Sequence, residues 1–149
     1  MRIILAALAA ILVTLPAVAE DFRTIKSKYS VKDTIDRLSE TLDKKGIRVM
    51  ARVDHAAGAK SAGLDLKPTE LLIFGNPKLG TPLMQTNRMI ALDLPMKVLA
   101  WEDDKGEVNV AYTTPAALAK RHGVAGRDEI IAKMTKALAG LTAAAAGTN

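Results

Sequence analysis

Between Ser30 and Gly46 the apolar residues Val31, Ile35, Leu38 and Leu42 recur at helical spacing, and this stripe predicts an amphipathic helix. Ser30 suits its N-cap, with Asp33 placed three residues on near the positive end of the dipole. Phe22 to Tyr29 alternates like a strand ahead of it. Ile47 to Val53 alternates strictly, which predicts a strand with Ile47, Val49, Ala51 and Val53 on the core face. Asp54 then stands at an N-cap position before a short Ala-rich helix that ends at Gly63.

Leu71 to Phe74 is continuously apolar, so it predicts either an interior strand covered on both faces or a strand with a partner chain over one of them. Asn76-Pro77 and Thr81-Pro82 each match a cap followed by proline at the first helical position, and either could start the next helix. Leu79, Leu83, Asn87 and Ile90 share its stripe, which Asp93-Leu94-Pro95 stops. Lys97 to Glu102 and Glu107 to Tyr112 form a hairpin around Asp103-Asp104-Lys105-Gly106. Thr114-Pro115 opens a helix closed by Gly123, and a last helix covers about 127–142, with 142–149 expected to fray. The order predicts an α+β two-layer domain, an antiparallel-rich sheet of about five strands with its helices packed on one face.

The first residues change the picture of location. Arg2, an apolar run from Ile3 to Leu15 and the small residues Ala17 and Ala19 are the pattern of a signal peptide over 1–19, cut before Glu20. The run is shorter than the roughly 20 residues that span a bilayer, so no stable membrane anchor is expected after cleavage, and the mature chain would be periplasmic or secreted. Residues 20–149 are expected to form one domain, of net charge +4 once Arg2 is removed from the +5 of the whole chain. Its Lys and Arg are scattered and its few aromatics do not interleave with them, which argues against nucleic acid. The absence of cysteine rules out disulfides and Cys-ligated metal.

Four motifs in order carry a resemblance: Asp54-His55-Ala56, Phe74-Gly75-Asn76-Pro77, Asp93-Leu94-Pro95 and Trp101-Glu102-Asp103 leading through Gly106. Over about 27–122 the chain resembles the family DUF302, whose fold has been called TT1751-like. The resemblance implies a TATA-binding-protein-like two-layer domain, often a homodimer, and brings no established activity.

His55 is the best single candidate for chemistry, because an imidazole at a strand-to-helix corner can act as acid, base or ligand. Asn76 ends a buried strand, and its amide suits either ligand binding or a helix cap. Asp93 either pairs with His55 or coordinates a cation, or else it caps or stops the helix before Leu94-Pro95. His122 has a sufficient role as a cation at a helix C-terminus. Met84, Met89 and Met96 mark a pliable apolar contact or core filling. No metal-ligand spacing, phosphate loop or serine elbow is present, and no cofactor is expected. The sequence therefore favours a non-enzymatic exported homodimer that binds a small ligand or protein partner through His55, Asn76 and Asp93. The alternative is a small hydrolase or isomerase using His55 with Asp54 or Asp93.

Overall fold

The computed structural model describes residues 21–149, so the expected signal peptide lies outside the described residues. The elements are β1 Phe22–Ser27, α1 Val31–Lys44, β2 Arg48–Asp54, α2 His55–Ser61, β3 Thr69–Gly75, α3 Pro77–Thr86, a short 3-10 helix Arg88–Leu92, β4 Met96–Glu102, β5 Val108–Thr113, α4 Pro115–Arg121 and α5 Asp128–Ala146. Among the described residues the sheet has five strands in the order β1-β5-β4-β3-β2. Every neighbouring pair is antiparallel, as the α+β reading expected.

Local chemistry starts the helices. The Ser30 hydroxyl accepts from the Asp33 N–H at 3.1 Å and donates to the Asp33 carboxylate at 2.8 Å, so two groups at the N-terminus of α1 satisfy each other. Asp54 caps α2 through the Ala57 N–H at 2.8 Å, and Asn76 caps α3 through the Lys78 N–H at 3.0 Å. Thr114 caps α4, followed by Pro115 at the first helical position.

One face of the sheet carries the core. Leu72 and Phe74 of β3, Met96, Val98 and Ala100 of β4, and Val110 and Tyr112 of β5 are buried against Ile35, Leu38 and Leu42 of α1 and Leu138 and Leu141 of α5. Leu71, Ile73, Leu99 and Trp101 occupy the alternate positions and stay partly exposed, outside that core. An ion-pair chain ties the helical layer to the strands: Arg52 donates to the buried Glu70 at 2.6 Å and also pairs with Asp36 of α1.

Three expectations are corrected. Ile47 to Val53 does not present one face, because the pairing slips between Val49 and Ala51 and leaves Met50 as a bulged residue. Val49 therefore lies opposite Phe74 on the core side, whereas Ala51 and Val53 lie opposite Ile73 and Leu71 on the open side. The helix begun at Asn76 ends at Thr86 instead of running on through Ile90. Asn87 is extended there, its amide donating to the His122 carbonyl at 2.7 Å and accepting from the Met89 N–H at 3.0 Å. The C-terminal segment does not fray at 142: α5 continues to Ala146, with Thr142, Ala145 and Ala146 buried.

Candidate functional site

At the Gly75 end of β3 the chain leaves the sheet, and Asn76-Pro77 turns it into α3. Together with α5, the Leu94-Pro95 segment and the first part of β2, this turn encloses a cavity of about 250 Å³. Its floor is Phe74, Met96, Met134, Leu138 and Leu141, all buried. Its rim carries Met50, 43% exposed, with Asn76, Pro77 and Thr81, which are also exposed. Four of the chain's six methionines, Met50, Met84, Met96 and Met134, line it. The bulge explains how Met50 gets there. With an extra residue in β2, two consecutive side chains, Val49 and Met50, fall on the core side, and the second reaches the cavity mouth.

Asn76 lies on this rim, as a ligand-facing residue would, although its side-chain oxygen is engaged in capping α3. Asp93 stands just behind the wall. Its carboxylate accepts from His122 Nε2 at 2.6 Å and from Arg121 at 3.1 Å, while Lys97 donates to its backbone carbonyl at 2.8 Å. The His122 hydrogen bond, followed by that from Arg121, holds the Asp93 carboxyl below its ordinary range. The cluster anchors the residue before Leu94-Pro95 to β4 and to the end of α4, and so fixes one cavity wall.

His55 is elsewhere. Asp54 pairs with Glu70, at the far end of β3 from Gly75, and five residues of strand rise put roughly 17 Å between the two ends. His55 is exposed as the first residue of α2, beside an Asp54 whose side chain is spent on the cap. The structure thus brings Asn76 and Asp93 to one end of the sheet and leaves His55 at the other. It corrects the expected pocket bounded by all three and, among the roles left open for Asp93, sets aside the pairing with His55, since His122 is the partner. The Asp93–His122 pair escaped sequence reasoning because each residue had a sufficient local role and 29 positions separate them. The methionine clustering was the available signal for the cavity, but Met50 looked like the outward face of an alternating strand.

The chain belongs to the DUF302 family, described as a domain of unknown function, whose model matches residues 23–141. That match is wider than the 27–122 expected from the motifs, taking in all but the first residue of β1 and α5 as far as Leu141. The uncharacterized conserved protein DUF302 from Bacillus stearothermophilus has a similar structure, with a TM-score of 0.76 at 23% identity over 85% of this chain and 99% of that one. This likeness bears on the fold alone. Among curated proteins, the fluoride-specific ion channel FluC 1 of Brucella suis biovar 1 (strain 1330) is 50% identical over 110 residues, covering 74% of this chain and 43% of its own. FluC 1 of Brucella abortus biovar 1 (strain 9-941) matches at the same identity over 41% of its length. The chain spans less than half the length of these curated relatives. Among the described residues, no helix is long and apolar enough to cross a membrane.

Proposed function

We propose that this chain is a non-enzymatic binding domain, exported and homodimeric, which holds a small ligand in the cavity between α3 and α5. The cavity carries the reading: it is concave, partly open and apolar, with two polar side chains at its rim and a volume near the lower end of small-molecule sites. Export rests on the leader pattern of 1–19. Dimerisation rests on the open face of the sheet, where Leu71, Ile73, Leu99 and Trp101 stand at positions that a solvated antiparallel sheet gives to polar residues. The relatives named as fluoride channels are longer chains, and ion conduction forms no part of this reading.

Native mass spectrometry of protein recovered from the exported compartment tests it. A mature chain starting at Glu20, with a small-molecule mass excess that disappears in Ala137→Trp, is the expected result; a ligand-free protein that no extract fraction stabilises against heat would overturn it. The hydrolase or isomerase alternative draws no support from the site, since His55 lies outside it and Asp93 is engaged by His122. His55→Ala is expected to leave ligand retention and dimerisation unchanged.

A further inference from the structure

We infer that the ligand is a neutral, largely hydrocarbon molecule of about ten heavy atoms, selected against charged analogues of the same shape; this rests on the binding reading above. Size comes first. An apolar cavity of roughly 150 Å³ accepts benzene, with its six carbons, so about 250 Å³ scales to about ten heavy atoms. Charge comes next. None of the lining residues is ionisable, and a carboxylate or ammonium group drawn inside would lose its water without gaining a counter-charge.

The few polar groups allow one uncharged hydrogen-bonding end at the mouth. Thr81 and Asn76 stand at the rim, while the floor of Phe74, Met96 and Met134 offers only apolar surface. The thioether side chains are unbranched and polarizable, so the walls adjust to a chain or a ring instead of demanding one outline. Gly80 adds a narrow point. A Cβ built there would lie 3.7 Å from Leu94 Cδ1 and 3.9 Å from Met84 Cε, in ordinary contact with two wall residues. A methyl group at that position trims the cavity without forcing backbone to move, and alanine is the better helix former.

Calorimetric titration of the mature protein with 1-octanol, octanoate and octylammonium tests the inference, because the three share a chain and differ in charge. Binding of 1-octanol at least tenfold tighter than either ion, weakened several-fold in Gly80→Ala and lost in Ala137→Trp, is the expected result. Gly80→Ala keeps the test meaningful if the tryptophan variant fails to fold. Equal or tighter binding of either ion overturns the neutral class and leaves a binding pocket in place. Failure of all three to bind overturns the inference, and the binding reading falls with it only if the isolated protein also carries no ligand by native mass spectrometry.

Discussion

Asp93 shows how far a single side chain can be read in isolation. Its location at a helix stop is visible in Asp93-Leu94-Pro95, but the partners of its carboxylate, Arg121 and His122, come from the end of α4, which the sequence does not juxtapose with it. The caps Ser30, Asp54, Asn76 and Thr114 were legible because each bonds a backbone N–H two or three residues away. The Asp93 carboxyl titrates below its unfolded value because His122 and Arg121 favour its charged form. Its contribution to stability is therefore fully present above the unfolded pKa near 3.8 and is lost as pH falls through the lower folded value. Asp93→Asn keeps the shape and removes the charge; with the side chain partly open to solvent, it is expected to cost about 1–2 kcal/mol at neutral pH. Urea unfolding at neutral pH and again below the folded value checks this: the difference between the two proteins should shrink in acid, and a constant difference would show that the charge is not what matters.

At the scale of elements, the failures share one cause, which is that tertiary contacts decided where a regular pattern ended. The alternation of Ile47 to Val53 was genuine, yet one bulged residue reversed the faces beyond it and gave the cavity its rim. The stripe Leu79, Leu83, Asn87 and Ile90 fitted a single helix until Asn87 met the His122 carbonyl. The Ala-rich tail looked unanchored because alanine carries little side chain to read. In the fold it is held by Arg37, whose guanidinium donates to the Ala144 and Ala145 carbonyls at 3.2 Å each while lying over the Tyr29 ring. Gly147 ends α5 in the left-handed region at φ 70°, and a Cβ there would meet Tyr29 Cε2 at 2.7 Å. Gly147→Ala should then cost about 2 kcal/mol, combining backbone strain with displacement of the ring. Gly46→Ala, at φ 63° with open space around it, should show the strain alone. Equal losses in thermal denaturation of the two variants would mean that the tail contact with Tyr29 adds nothing.

For the whole molecule, the question is what the second face of the sheet is for. Continuous apolar character in Leu71 to Phe74 allowed either cover on both faces or a partner chain over one, and the fold buries Leu72 and Phe74 while leaving Leu71 and Ile73 partly exposed. The register carries this further than the sequence did. Val53, Leu71, Leu99 and Ala111 stand side by side across β2, β3, β4 and β5, an apolar row spanning three strand spacings, or roughly 14 Å. A second copy offers the same row, so a two-fold contact would match apolar surface to apolar surface on both sides. Leu99 sits near the middle of that row and outside the helical core, which makes it the position where association and folding can be separated. Leu99→Glu should leave far-UV circular dichroism intact and change monomer stability by no more than about 1 kcal/mol. It should also shift sedimentation equilibrium at micromolar concentration from dimer to monomer, because two carboxylates would have to be buried across the axis. A wild-type protein that sediments only as monomer would remove the homodimer from the proposal. A variant that remains dimeric would move the contact away from this face and leave Leu71, Ile73, Leu99 and Trp101 still to be explained.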